Sequence, residues 1–188
     1  GRRMTVESLE AVGPDVPALW RYFPTLEGPF LRLLDALPFA LDDVVFVDLG
    51  SGKGRALLIA SERPFRRIVG VELSPQLHRI AQDNVARYQS ASQSCHSFEL
   101  VCGDAAEYVP PADKTLYYLF QPFPRETMRA VLDNLVASLR AVPRTAAIAY
   151  MNPLFHDMVM STGLFEHHRR GHASKPGEFD WSLYLHRM

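Results

Sequence analysis

The amino-acid sequence predicts an α/β sandwich: a mainly parallel sheet with helices on both faces, ending in an antiparallel strand pair. Three observations carry this prediction. Five short apolar runs recur from residue 44 onward, separated by stretches of helical spacing. The first two, VVFVDL (44–49) and RIVGVE (67–72), lack polar alternation, as strands buried on both faces do. Farther on, GLFEHHRR (163–170) and WSLYLHRM (181–188) flank a segment containing Pro176-Gly177, a turn signal, and read as an antiparallel pair closing a sheet edge.

In chain order, the first residues carry no strand pattern. PALWRYFPTLEGPFLRLLDALP (17–38) reads as two short helical pieces broken at Pro24 and Pro29, so a helical cap is expected over 1–42 and the main domain over 43–188. The first strand ends at Asp48-Leu49 and runs into the glycine-rich GSGKG, after which a helical pattern begins. The second strand is followed by Ser74-Pro75, a good N-cap and first-turn pair, and by Leu77, Ile80, Ala81, Asn84, Val85 and Tyr88 at helical spacing. The polar QSASQSCHS (89–97) is a loop. Two further strands are expected at FELVCG (98–103) and TLYYLF (115–120). A helix then carries Met128, Val131, Leu132, Leu135, Val136 and Leu139 on one stripe, with Pro143 beyond its end, before a fifth strand at TAAIAYM (145–151).

Bulk composition narrows the function. The chain has 188 residues, 47% apolar and 22% charged, the range of one ordinary globular domain. A net charge of −1 gives no strong nucleic-acid signal, and the cluster Arg63, Arg66, Arg67 reads as a solvated loop. Cys95 and Cys102 are too few and badly spaced for a zinc site or a disulfide framework, so no metal is expected. No apolar run approaches the roughly 18 residues of a membrane span and no signal peptide is visible, so the expectation is a cytoplasmic protein.

The ligand of the glycine loop is the central question. A P-loop needs G-x-x-x-x-G-K-[ST], but Gly52-Lys53 is followed by Gly54 and preceded at the required distance by Val47. A dinucleotide site needs G-x-G-x-x-G with an acid about 20 residues on. Here Gly50, Gly52 and Gly54 give G-x-G-x-G, although Glu72 falls at the right place. Asp48 would also stand close to a pyrophosphate, which is unfavourable. The same carboxylate suits a ligand with an ammonium group and a sulfonium. Asp48 would accept from the ammonium, Glu72 from ribose hydroxyls, and Asp104 of GDA (103–105) from an adenine amino group. Amine, ribose and adenine together describe S-adenosylmethionine. The plainer alternative is that the glycines serve only close helix–strand packing, with Asp48 as a cap.

The ordered set DLGSGKG, VGVELS and GDA on strands one to three resembles the class I S-adenosylmethionine-dependent methyltransferases. YFPT, FVDLGSGKGR, VGVELSPQL and YLFQPFP are similar to a bacterial branch of that family, and the first motif is also similar to that of non-SET protein-lysine methyltransferases. The resemblance runs from about Val44 onward. It implies a Rossmann-like seven-stranded methyltransferase sheet with an antiparallel C-terminal strand pair. It further implies a cofactor site of Asp48, Gly50, Ser51, Gly52, Gly54, Glu72, Leu73, Asp104 and Ala105, with Tyr22 and Thr25 at the methionine end.

For the acceptor, the resemblance points to the ends of strands four and five. LFQPFP (119–124) is similar to the [DN]-P-P-[YF] motif of enzymes that methylate amide or other sp² amino nitrogens. Gln121, Pro122 and Phe123 are therefore the expected acceptor-positioning residues, although Gln replaces Asp or Asn and Phe replaces the second Pro. Pro122 and Pro124 read equally as loop shapers before the next helix. Methyl transfer needs alignment and exclusion of water more than side-chain chemistry. A base is required only for a protonated nucleophile, and Tyr150, His156 and Asp157 are the candidates, His156 first. His167, His168 and His172 read as surface or packing residues of the hairpin. Trp20, Tyr22 and Phe23 would either wall the pocket, with cation–π attraction to a sulfonium or alkylammonium, or pack a cap helix. The expected partner is a small molecule or an exposed protein side chain. The competing functions are an NAD-dependent oxidoreductase, disfavoured by the glycine register, and a non-catalytic S-adenosylmethionine-binding module.

Overall fold

The computed structural model describes residues 24–120 and 123–187. Within them lie β1 (Val45–Leu49), β2 (Arg67–Glu72), β3 (Phe98–Cys102), β4 (Thr115–Phe120), β5 (Ala146–Met151), β6 (Phe165–Gly171) and β7 (Trp181–His186). The helices are α1 (Glu27–Leu34), α2 (Arg55–Ala60), α3 (Pro75–Arg87), α4 (Arg125–Ala141) and α5 (His156–Ser161). One seven-stranded sheet runs in the order β3-β2-β1-β4-β5-β7-β6. Its first five positions are parallel, while β7 pairs antiparallel with both β5 and β6. Sequence order reverses between β1 and β4, the switch point outside whose carboxyl ends open α/β sheets bind ligands.

Every residue of β1 and β5 is buried because both faces are covered, which is why these strands read as continuous apolar runs. On one face Phe46 and Tyr118 pack with α1 and α2 through Phe30, Leu33 and Leu57. On the other, Val47, Leu119 and Tyr150 pack with α4 and α5 through Val131, Leu135 and Val159. Phe30 meets Tyr118 edge-on at 4.8 Å between ring centroids and Phe46 at 5.9 Å, so α1 belongs to the core of the sheet.

Local chemistry explains where the elements start and where expectation and structure part. Ser74 accepts from the Leu77 amide at 3.3 Å and Pro75 opens α3, the cap read from the sequence. The break expected at Pro29 does not occur. Pro29 sits in the first turn of α1, whose amides have no intrahelical acceptor, so its missing N–H leaves no helical bond unmade. No helix forms in the connection 103–114, where adjacent Pro110 and Pro111 would remove two donors. The arginine cluster is a set of surface ion pairs: Arg63 with Asp35 at 2.8 Å, Arg66 with Asp113 at 2.7 Å and Arg67 with Glu99 at 3.0 Å. Among the described residues no helix is long and apolar enough to cross a membrane.

Candidate cofactor and acceptor site

The carboxyl ends of β1, β2 and β3 bring three acids together. The β1 register sets Asp48 between Gly70 of β2 and Tyr118 of β4, and its side chain shares the face of Phe46. Directly after it, Gly50, Gly52 and Gly54 take φ values of 93°, 54° and 81°, a region that side chains with a Cβ rarely enter. The amides of Gly50 and Ser51 both donate to the Val71 carbonyl, at 2.9 and 3.0 Å, which folds the loop over the end of β2. Gly70 permits that closeness: a Cβ there would lie 2.6 Å from Leu57 Cδ1 and 3.0 Å from Ser51 Oγ. Gly54 opens α2, and its backbone lies against Ala81 of α3.

Glu72 is fixed by backbone donors on both oxygens. The Gly52 amide donates to Oε2 and the Ser74 amide to Oε1, each at 2.8 Å. A carboxylate has about four lone-pair sites, so two remain for a ligand. The Glu72 carbonyl accepts from Gly103 at 3.0 Å, which holds the end of β3 beside it. There Asp104 is exposed and its Oδ1 accepts from the Ala106 amide at 2.8 Å. Ala105 is buried beneath it, while Leu73 beside Glu72 is 66% exposed.

Asp48 is the unusual member. It is 3% exposed, and among the described residues no group donates a hydrogen bond to its carboxylate. Burial, and behind it the charge of Glu72, push its carboxyl well above the usual carboxylate range. A cationic donor beside this carboxyl would offset the cost of burial and favour its ionised form. This fits the ammonium group of S-adenosylmethionine and conflicts with a pyrophosphate. Thr25 lies nearby, with Oγ1 3.2 Å from the Tyr118 hydroxyl and its carbonyl accepting from Arg55 Nε at 2.7 Å. Tyr22, with Trp20 and Phe23, lies outside the described residues.

The acceptor side is less concentrated. Gln121 and Pro122 lie outside the described residues, and Phe123 is half-buried against the α4 cluster. His156 opens α5, with Nδ1 2.8 Å from the Tyr184 hydroxyl. The Tyr150 hydroxyl is the one fully buried side-chain polar atom among the described residues without a hydrogen-bond partner, and burial raises its pKa far above that of an ordinary phenol. Sequence reasoning missed three contributors: Gly70, Arg55 and the pairing of His156 with Tyr184. An isolated glycine inside RIVGVE was the available signal for the first, since it marks close backbone approach. The other two depend on contacts between elements distant in the chain.

Comparison with known proteins agrees with this geometry. The family described as a methyltransferase domain matches residues 46–141, from β1 through α4. The release factor glutamine methyltransferase of Vibrio cholerae serotype O1 is 30% identical over 116 residues. That match covers 61% of this chain but only 38% of the relative. The 23S rRNA methyltransferase ErmE superposes with a TM-score of 0.60 at 17% identity, covering 89% of this chain and 70% of its own. Precorrin-6y C5,15-methyltransferase from Geobacter metallireducens superposes with 0.59 at 16% identity, covering 84% and 87%. At these identities the solved structures show the fold alone. The family match, lying on the strands and glycine loop described above, shows that this chain belongs to the methyltransferase-domain family as a class I S-adenosylmethionine-dependent methyltransferase.

Proposed function

We propose that this enzyme methylates a nitrogen of a protein side chain or small molecule, with its cofactor held by Asp48, the Gly50–Gly54 backbone, Glu72 and Asp104. The observation that carries the cofactor assignment is the buried Asp48 carboxyl, without a hydrogen-bond donor among the described residues, beside a left-handed glycine loop. Asp48 accepts from the ammonium group. Glu72, oriented by the Gly52 and Ser74 amides, offers its remaining lone pairs to the ribose hydroxyls. Asp104 takes the adenine amino group, and exposed Leu73 gives the adjoining apolar surface. Thr25 and Tyr22 serve the methionine end. When bound, S-adenosylmethionine supplies a methyl group already activated on a sulfonium. The chain's remaining task is to align the nucleophile and exclude water.

The nitrogen acceptor is supported by the likeness of Gln121-Pro122-Phe123 to motifs of amino-nitrogen methyltransferases. It is also supported by similarity to a glutamine methyltransferase over part of that protein's length. His156 pairs through Nδ1 with the Tyr184 hydroxyl, and in the tautomer whose Nδ1–H donates to that hydroxyl, Nε2 is the nitrogen able to take a proton from a protonated nucleophile. A second reading, an RNA acceptor, is favoured by one feature. The exposed edge strand β6 carries His167, His168, Arg169 and Arg170 in succession, and ErmE, of like fold, is a 23S rRNA methyltransferase. The earlier expectation drawn from net charge does not remove that reading.

Incubation with methyl-labelled S-adenosylmethionine and separate protein, small-molecule and RNA acceptor pools decides between them. Label recovered as N-methyl groups in the first two pools, and lost in Gln121→Ala, supports the proposal. Label confined to RNA overturns it.

A further inference from the structure

One group of side chains outside the cofactor site is brought together by a defect in the sheet. Strand β6 pairs with β7 in regular register up to His167 opposite Tyr184, then shifts, so that Arg169 opposes Leu183 and Arg170 opposes Ser182. Without the shift, His167 and Arg170, three residues apart, would face opposite sides of the sheet. With it, both stand on the face of Ser182 and Tyr184. Bulges at sheet edges re-aim side chains in this way. From the same face α5 contributes His156, whose ring lies edge-on to His167 at 5.4 Å and whose Nδ1 is bound to Tyr184. The result is a cavity of about 350 Å³ lined by Pro153, His156, His167, Arg170 and Ser182.

The lining selects the kind of ligand. Two imidazoles, a guanidinium and the hydroxyl of Ser182, a residue 2% exposed, make a donor-rich wall. Arg170 gives Nη2 to Asp180 at 2.9 Å, and among the described residues its other guanidinium nitrogens have no acceptor. Asp180 is also satisfied by the Ala173 amide at 2.9 Å and His172 at 3.2 Å. Burial first, and then the neighbouring His156, Arg170 and His168, lower the pKa of His167. Among the described residues no group of three or more His, Cys, Asp or Glu is placed to hold a metal ion, so a cation site is not the match. The volume lies at the lower end of small-molecule sites.

We propose that this cavity is an oxyanion site, taking the carboxylate or phosphate group of a small molecule between Arg170, His156, His167 and Ser182. Pro153 follows β5, whose last residue Met151 is the register partner of Phe120 at the end of β4, so the cavity lies toward the carboxyl ends of these two strands. Its natural occupant is the anionic end of the methyl acceptor, a step that rests on methyl transfer occurring at those strand ends.

The test is a titration of the full chain with inorganic phosphate and, separately, acetate, reading the imidazole NMR signals. His156 and His167 are expected to shift saturably, while His78 and His96 drift linearly with ionic strength. Arg170→Ser is expected to weaken the saturation by about tenfold or more, with the thermal shift caused by S-adenosylhomocysteine unchanged. Tighter binding of phosphate supports a phosphate-bearing occupant, and tighter binding of acetate a carboxylate-bearing one. Linear drift in both anions, or saturation that survives Arg170→Ser, overturns the proposal. Failure of S-adenosylhomocysteine to stabilise the wild type would count against the cofactor assignment alone.

Discussion

The two proposed sites at the strand ends are built differently. At β1 and β2 the site is made mostly of backbone: left-handed glycines, two amides on one carboxylate and a buried aspartate, all within residues 48–74. Past β5 it is made of side chains from α5, β6 and β7, such as the His156–Tyr184 pair 28 residues apart. A backbone cradle fixes one ligand and tolerates few replacements. A side-chain cavity on an edge hairpin can be re-lined without disturbing the core. The first arrangement suits a shared cofactor and the second a particular acceptor.

Removal of the cradle's anchor is expected to have the largest effect. Glu72→Ala loses two charge-assisted bonds that position the loop and is expected to weaken S-adenosylhomocysteine binding roughly 10- to 100-fold by calorimetry, at ~1.5–3 kcal/mol for a bond to a charged group. Unchanged affinity would mean that the loop holds itself. Next comes Gly70→Ala, whose Cβ would press on Leu57 and Ser51. It is expected to lower stability by about 1–3 kcal/mol in chemical denaturation and to weaken cofactor binding along with it. Loss of stability without loss of binding would separate the packing role of the glycine from the site.

Asp48→Asn is the most discriminating change on the cofactor side. Because the folded-state pKa of Asp48 is raised, the folded chain keeps that proton to higher pH than the unfolded chain, whose aspartate titrates near 3.9. Between that value and the raised one the folded state binds more protons, so stability falls as pH rises. The asparagine variant is expected to lose this contribution to the slope and to be more stable than wild type at neutral pH without ligand, by about 1 kcal/mol or more. It is expected at the same time to bind S-adenosylhomocysteine less tightly. Thermal melts across pH, with and without ligand, measure both. The smallest effect belongs to the other site: Tyr184→Phe removes the His156 bond and is expected to cost about 0.5–1.5 kcal/mol with cofactor affinity unchanged. A loss of affinity there would join the two sites energetically.

The same contrast explains what was legible in the sequence. Strands β1, β2 and β5 stood out because burial on both faces leaves continuous apolar runs, and Ser74-Pro75 announced α3 because capping is local. Asp48, the glycines and Glu72 could be read together because parallel strand ends place successive motifs side by side. The two amides on Glu72 could not be read, since they depend on the φ values of the loop. Nor could the cluster of His156, His167 and Arg170, because one register shift in β6 decides which side chains share a face. Pro29 was misread as a break because its effect depends on whether it falls in the first turn or later.

The most direct measurement compares the melting of wild type and Glu72→Ala with S-adenosylhomocysteine, NAD⁺ and ATP in parallel. A ligand at 100 times its Kd adds about 2.7 kcal/mol, roughly 5–10 °C for a domain of this size. The cradle described here predicts that wild type shifts with S-adenosylhomocysteine alone and that the variant shifts far less. A shift with NAD⁺ and none with S-adenosylhomocysteine would contradict it, and would mean that the buried Asp48 carboxylate does not select a cationic ligand.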